Sequence, residues 1–170
     1  TLPLTIALVM TLGGILFKLG AFPFHIWSPD VYQAAPTPIV ALFSIIPKLA
    51  ALSILFHLVN YIHLADFNWK LWIGIIAIAS MTVGNFSALL QKNAKRMMAY
   101  SSIAHAGFLL VGLLAYSESG RVATLYYGLI YLIMNLGAFF LIQVFEKKNG
   151  TAEISKMSGL GQKMPWIGVL

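Results

Sequence analysis

Residues 17–38 read FKLGAFPFHIWSPDVYQAAPTP, a polar, proline-rich run between two strongly apolar stretches. Its four prolines lack the backbone donor that a helix interior needs, so an unbroken helix cannot pass through it. The flanking stretches, about residues 2–22 and 39–60, are each long enough to cross a hydrocarbon layer of about 30 Å. The sequence therefore predicts two membrane-spanning segments, the first broken at Pro23 and followed by a re-entry over residues 23–38.

Composition extends this interpretation to the whole chain. Of its 170 residues, 59% are hydrophobic and 9% are charged, and the mean hydropathy of +0.84 lies far above that of soluble domains. Further apolar stretches lie at about residues 71–90, 97–116 and 122–145, and another begins at 165. We therefore expect an all-α, polytopic transmembrane helix bundle, in which residues 1–170 form one transmembrane domain and are a fragment of a longer protein.

Motifs for cofactor or metal chemistry are missing from this sequence. It contains no cysteine, which excludes a disulfide and a cysteine-ligated iron–sulfur cluster in this segment. It also lacks a phosphate-binding loop, a dinucleotide fingerprint and a metal-ligand spacing. We expect this segment to bind no cofactor and no metal ion.

Positive charge is concentrated in two of the predicted connections. The basic residues in these two connections are Lys92, Lys95, Arg96, Lys147, Lys148, Lys156 and Lys163. The connections on the opposite side carry only Lys70 and Arg121. Because basic residues in short loops are retained on the cytoplasmic side, we expect the two basic connections to be cytoplasmic. The net charge of +6 then reflects topology, and we do not interpret it as a nucleic-acid-binding surface.

Two lysines, Lys18 and Lys48, lie inside apolar stretches. A charged side chain near the bilayer centre costs roughly 2.5 to 3.5 kcal/mol on insertion scales, so such residues usually serve ion or proton movement. Lys48 is near the middle of its span, whereas Lys18 is about one helical turn before Pro23, where backbone polar groups are freed. Both are candidate proton-transfer residues. The alternative for each is a lysine that is paired for packing or, for Lys18, extended toward the membrane surface.

Several polar residues are candidate auxiliaries to these lysines. Pro47 supplies no N–H, so it predicts a helix break that frees the carbonyl of Phe43. Ser44 is one turn before Lys48 and shares a helix face with it. The remaining candidates are His25, His105 and Asn135. For both histidines a hydrogen-bonded structural role is an equal alternative, and for the asparagine a tie between two helices is the alternative.

The run at 17–38 and a second run at 95–108, KRMMAYSSIAHAGF, resemble a known family. They are similar to the antiporter-like, proton-translocating membrane subunits of respiratory complex I. That family also includes the Mrp-type cation/proton antiporters and the membrane-bound hydrogenases. The form PFHIWSPDVY, together with a lysine at position 48, is most similar to the N-type subunits of NADH-quinone oxidoreductase. The resemblance covers essentially the whole chain.

The resemblance implies a fourteen-helix fold with two inverted five-helix repeats, each with one broken helix. It also implies a non-redox subunit of an enzyme that couples quinone reduction to proton pumping through buried lysines. By the same resemblance, Lys18 would pair with a glutamate, and Lys48 would belong to a central hydrophilic axis. That glutamate and a further lysine lie outside residues 1–170. We do not interpret any acid of this chain as an intramembrane partner for Lys18.

Cofactors and partners follow from the same resemblance. NADH, FMN, iron–sulfur clusters and quinone are expected in other subunits of the complex. The partners would be the other membrane subunits and the lipid bilayer, and the location a bacterial cell inner membrane. Two alternatives stay open: an Mrp-type antiporter or membrane-bound hydrogenase subunit that uses the same lysines, and a purely structural membrane-anchoring subunit.

Overall fold

The computed structural model describes residues 2–61 and 68–159, so the span predicted to begin at 165 lies outside the described residues. The described part is all-helical, apart from an isolated antiparallel bridge between Asn93 and Glu153. Its α-helices are α1 (Leu2–Leu19), α2 (Trp27–Ala34), α3 (Thr37–Phe43), α4 (Ile46–Val59), α5 (Trp69–Leu89), α6 (Ala94–Leu114) and α7 (Glu118–Asn149). A 3-10 turn follows at Ile154–Met157. Within residues 2–61 and 68–159, five segments are long and apolar enough to cross a membrane, with α3 and α4 counted as one.

The first break lies between α1 and α2. The helix ends just before Gly20, whose φ of +69° is the left-handed conformation that terminates helices, and Pro23 lies within the turn that follows. The backbone N–H of Phe22 donates to Ser80 Oγ on α5 at 2.9 Å, which fixes the turn against a neighbouring helix. The re-entry predicted over 23–38 therefore contains a second helical piece, α2.

The second break lies between α3 and α4, at Ser44 and Ile45. Pro47 occupies the first turn of α4, where its missing N–H removes no helical hydrogen bond. The backbone N–H of Lys48 instead bonds to the carbonyl of Ile45 at 3.1 Å. This break places Lys48 at the start of a helix, one turn after Ser44.

Helices α5 and α6 form the most extensive helix pair among the described residues. They approach most closely at Gly84 and Gly107: a Cβ atom built on Gly84 would lie 2.6 Å from the backbone nitrogen of Ala104, and one on Gly107 would lie 2.7 Å from the carbonyl oxygen of Ala77. Small residues let helix backbones approach in this way, so these glycines set the spacing of the pair.

Helix α7 extends beyond the predicted span of 122–145 at both ends. The side chain of Ser117 accepts a hydrogen bond from Gly120 N at 3.0 Å and caps the beginning. Gly150, with a φ of +69°, ends the helix. The extension carries Glu146 onto the helix, where it faces other helices instead of lying in a connection.

The two basic connections lie on the same side of the bundle. The N–H of Ala94 donates to the carbonyl of Ala152 at 2.8 Å, and the N–H of Ile154 donates to the carbonyl of Lys92 at 2.9 Å. These bonds join the α5–α6 connection to the segment after α7. At the other end of the bundle, Lys70 Nζ lies 5.6 Å from the ring centroid of Tyr116.

Candidate proton-transfer site

Lys48 is buried inside the bundle, with 5% of its surface exposed. Its Nζ donates a hydrogen bond to the backbone carbonyl of Ser102 on α6 and lies 6.0 Å from the ring centroid of Tyr131. Among the described residues, no carboxylate lies within ion-pair distance of this nitrogen. A carbonyl can accept from either an ammonium or an amine, so a proton can reach or leave Lys48 without breaking an ion pair.

Ser102 is the junction of a buried hydroxyl network around Lys48. The hydroxyl of Tyr131 donates to Ser102 Oγ at 3.0 Å, and the hydroxyl of Tyr32 lies 3.3 Å from the same atom. All three side chains are buried. Because each hydroxyl can both donate and accept, the network joins α2, α6 and α7 by groups that can pass a proton.

Ser44 and Asn135 form a separate buried contact. Asn135 Nδ2 on α7 donates to Ser44 Oγ, and that hydroxyl donates in turn to the carbonyl of Ala41 at 2.7 Å. The pair ties α7 to the break that precedes Lys48. Both polar groups are therefore used in holding the break in place, and neither bonds directly to the lysine.

His105 lies beside the same network, on the α7 side. Its Nδ1 is 2.6 Å from the hydroxyl oxygen of Tyr127, and its ring centroid is 4.7 Å from that of Tyr131. The ring of Tyr131 is therefore near both Lys48 and the histidine. The structure thus places His105 and Lys48 near the same aromatic ring, and His105 is also hydrogen-bonded to the hydroxyl of Tyr127.

Lys18 and Lys48 line one cavity of about 220 Å³ between the first break and α4, together with Trp27, Ser28 and Tyr32. A water molecule occupies about 30 Å³ in the liquid, so this cavity has room for a short chain of them. Trp27 Nε1 is buried and has no hydrogen-bond partner among the described residues. Lys18 itself is exposed on the outer side of the described residues. The fold thus brings two lysines from different spans to one cavity. Its other lining residues are mostly apolar and include Leu19, Val31, Phe43 and Pro47.

His25 is not brought to either lysine. It lies in the turn of the first break, where its ring stacks on that of Phe22 with a centroid distance of 5.6 Å. Its Nδ1 is buried and has no hydrogen-bond partner among the described residues. The residue does not line the cavity that Lys18 and Lys48 share.

Sequence reasoning missed an ion pair between α6 and α7. Lys95 is buried, and its Nζ lies 3.1 Å from Glu146 Oε1 and 3.2 Å from the carbonyl oxygen of Ala35 at the end of α2. The hydroxyl of Thr37 at the start of α3 donates to the other carboxylate oxygen of Glu146. The pair therefore holds both sides of the turn between α2 and α3.

A second ion pair lies nearer the surface. Arg96 Nη1 contacts Asp30 Oδ1 at 2.6 Å and Gln33 Oε1 at 3.2 Å, so it also attaches α2 to α6. The charged residues at this end of the bundle hold helices together.

Across residues 2–61 and 68–159, no group of three or more His, Asp or Glu side chains could hold a metal ion.

These residues were missed because charge near a span end was interpreted only as topology. Lys95 and Arg96 counted toward the basic connections, and the tyrosines counted as apolar span residues. One signal was available: Lys95 and Ser102 are seven residues apart and so fall on one helix face. The sequence could not show that the same face of α6 meets α2 and α7.

We expect Lys95→Met to destabilise the assembled protein by about 1 to 3 kcal/mol, because it leaves the half-buried Glu146 carboxylate and the Ala35 carbonyl without their donor. Adding Glu146→Gln to that variant should recover part of the loss. The matched control is Lys156→Met, which breaks the exposed pair to Glu153 and should cost less than about 1 kcal/mol. Thermal unfolding of the purified protein measures the difference. Equal losses for the two lysines would contradict a structural role of the buried pair.

Comparison with known proteins identifies the family. The family model described as NADH:quinone oxidoreductase/Mrp antiporter, TM, matches residues 2–170. NAD(P)H-quinone oxidoreductase subunit 2 of Synechococcus sp. (strain JA-3-3Ab) is 46% identical over 164 residues, which are 95% of this chain and 31% of that protein. NADH-quinone oxidoreductase subunit N of Chlorobium chlorochromatii (strain CaD3) is 42% identical over 172 residues, with 95% and 33% covered. The chain thus spans about a third of the length of the curated relatives it matches.

A solved structure agrees with the sequence relatives. A chain of respiratory complex I from Thermus thermophilus with bound aureothin matches 96% of this chain and 35% of its own length, with a TM-score of 0.77 and 34% identity. The expected fold class and the resemblance to N-type subunits are confirmed by these matches. The chain belongs to the NADH:quinone oxidoreductase/Mrp antiporter transmembrane family and is a helical part of an integral membrane protein.

Proposed function

We propose that the full-length protein is a proton-translocating membrane subunit of an NADH-quinone oxidoreductase, with Lys18 and Lys48 as protonatable stations and His105 as an auxiliary. One observation carries the proposal: Lys48, a buried lysine whose Nζ is bonded to a backbone carbonyl and to no carboxylate of the described residues, lines the same cavity as Lys18. The printed names of the relatives support the choice of enzyme.

The geometry supports a transfer in two steps. A proton held at Lys18 Nζ passes through the shared cavity to a neutral amine at Lys48, so Lys18 loses the charge that Lys48 gains. Two ammonium groups that face one cavity repel each other, so recharging Lys18 favours release from Lys48. Release from Lys48 would then proceed toward His105, which packs against the ring of Tyr131 and is hydrogen-bonded to the hydroxyl of Tyr127.

The energy for these steps would come from outside this segment. NADH, FMN, iron–sulfur clusters and quinone would be held by other subunits, and this subunit would take part in the enzyme without carrying electrons. It would contact the other membrane subunits of the complex and the lipid bilayer. The relatives' names support an oxidoreductase context.

The second candidate is a subunit of an Mrp-type cation/proton antiporter or a membrane-bound hydrogenase. The description of the family, which names Mrp antiporters beside quinone oxidoreductases, favours it. In an antiporter the same lysines would exchange protons for a cation. In a hydrogenase a different redox reaction would drive the protons. The two candidates share Lys18 and Lys48 and differ in the reaction that drives the proton.

Gentle purification of the tagged full-length protein from its native membrane separates them. We expect NADH-dependent quinone reduction to copurify with it, together with flavin and iron–sulfur absorbance. A preparation without these signals that exchanges cations for protons in vesicles would contradict the oxidoreductase and support the antiporter.

We further propose that the two basic connections face the cytoplasm of a bacterial cell. Because this chain has no cysteine, Lys148→Cys and Ser119→Cys can each be made in the full-length protein freed of any other cysteine. A membrane-impermeant thiol reagent added to intact spheroplasts should label Cys at 119 and leave Cys at 148 unlabelled, and inside-out vesicles should give the reverse. The opposite pattern would overturn the orientation.

A further inference from the structure

Two polar clusters lie at different depths on the same helices. The outer cluster consists of Lys95, Glu146, Thr37 and the carbonyl of Ala35. The inner cluster, as we use the term, comprises two separate sets of buried polar groups: the network of Lys48, Ser102, Tyr32 and Tyr131, and the contact between Ser44 and Asn135. The outer cluster reaches the surface at the basic connections, because about a third of the Glu146 side chain is exposed.

An apolar layer separates the two clusters. We define its members as Val40, Ala41, Ala99, Phe139 and Ile142. They belong to one buried hydrophobic cluster that also contains Tyr32, Ala94 and Ala152. None of these side chains is more than 8% exposed, and Phe139 is 1% exposed. The Phe139 ring packs against that of Tyr32 with a centroid distance of 6.2 Å.

The same order recurs on three helices. On α3, the layer residue Val40 lies between Thr37 and Ser44, and on α6, Ala99 lies between Lys95 and Ser102. On α7, Ile142 and Phe139 lie between Glu146 and Asn135. Seven helical residues span about 10 Å, so Lys95 and Ser102 are separated by roughly that distance along α6. On α2 the inner residue Tyr32 is only three residues before Ala35, and there the Tyr32 ring belongs to the same buried cluster as the layer.

A layer of this kind resists protons. A proton moves along groups that donate and accept, and the layer residues offer no side-chain group of that kind. Water enters a protein interior where it finds two to four polar partners, and an apolar space stays dry. A charge in such a dry layer would be unpaired and without solvation. A closed layer therefore cuts the inner cluster off from the surface at the basic connections.

We propose that this apolar layer, with Phe139 as its largest member, is the seal that prevents protons at the Lys48 cluster from leaking to the face of the basic connections. The inference rests on the proposed function, because a seal matters only where protons reach Lys48. It assigns to uncharged residues, which cannot bind a proton, the role of preventing a leak that would uncouple the pump.

Phe139→Ser tests the seal, since it removes a large ring and leaves a hydroxyl that can hold water. Phe140→Ser is the matched control. Both phenylalanines border a groove of about 440 Å³ on the outside of α3 and α7, but Phe140 is 62% exposed and lies outside the layer. The assembled complex would be placed in liposomes with an imposed pH gradient and no substrate, and the decay of the gradient recorded.

We expect the gradient to decay at least about tenfold faster with Phe139→Ser than with the wild type, a change of about 1.4 kcal/mol in the barrier. Phe140→Ser should decay at the wild-type rate. Phe139→Leu, which keeps the layer apolar, should also stay tight. Wild-type decay in an assembled Phe139→Ser complex would overturn the proposal.

A second variant carries the test if Phe139→Ser fails to assemble. Ile142→Ser removes another apolar side chain of the layer, leaving room and a hydroxyl for water on α7 between Glu146 and Phe139. An assembled Ile142→Ser complex that keeps the gradient as long as the wild type does would also overturn the proposal.

Adding Lys48→Ala to Phe139→Ser separates the seal from the function on which it rests. A leak that disappears in the double variant supports both the seal and Lys48 as a station. A leak that persists in it supports the seal and contradicts the role of Lys48. Absence of a leak in Phe139→Ser, while Lys48→Ala alone stops pumping, would leave the function standing and overturn the seal.

Discussion

Lys48→Ala is expected to reduce proton translocation by the assembled enzyme at least about tenfold, the factor that corresponds to about 1.4 kcal/mol in a barrier. The reason is that Lys48 is the buried amine at the cavity shared with Lys18, where its Nζ is bonded to the Ser102 carbonyl beside the hydrogen-bonded hydroxyls of Ser102 and Tyr131. Alanine leaves no group there that can hold a proton. The measurement is proton uptake per NADH oxidised in inside-out vesicles.

Two further variants make the result specific. Lys48→Arg keeps the positive charge but cannot release a proton near neutral pH, so it should also fail to pump if proton exchange is the role of this residue. Lys70→Ala removes a lysine that packs on Trp69 and Tyr116 at the end of the bundle, and it should pump normally. An assembled Lys48→Ala enzyme with the wild-type proton ratio would show that the proposed role is wrong and would support a purely structural subunit.

Gly84→Val is expected to give the largest loss of stability. Its Cβ would lie 2.6 Å from Ala104 N and 2.8 Å from the carbonyl oxygen of Tyr100, and both are backbone atoms that cannot turn away. Helices α5 and α6 would have to separate, at a cost of about 1 to 3 kcal/mol or more for overpacking. We expect a lower melting temperature and less assembled complex in the membrane.

Gly137→Val is the matched control, because a Cβ atom on Gly137 of α7 has nothing within 4 Å among the described residues. Valine is a slightly better helix former than glycine, so this variant should be neutral or slightly stabilising. Equal destabilisation by both substitutions would point to a general effect of valine in these helices and contradict the close approach at Gly84.

The amino-acid sequence is enough to establish the class and the broad fold of this protein. Apolar stretches of about 20 residues have few solutions in a membrane other than helices, because every backbone polar group must be paired within the segment. Proline at positions 23 and 47 required breaks near those residues. Lysines in apolar surroundings are rare enough that Lys18 and Lys48 stood out as candidates without any knowledge of their neighbours.

Tertiary structure alone decided what those lysines contact. The partners of Lys48 come from α6 and α7, and a helical period shows which face a residue is on but not which helix covers that face. The same limit hid the pairing of Lys95 with Glu146, since two charges far apart in the chain meet only when α6 and α7 pack together. It also hid the apolar layer around Phe139, because Phe139 and Phe140 are equally apolar in the sequence and only packing makes one of them an interior residue.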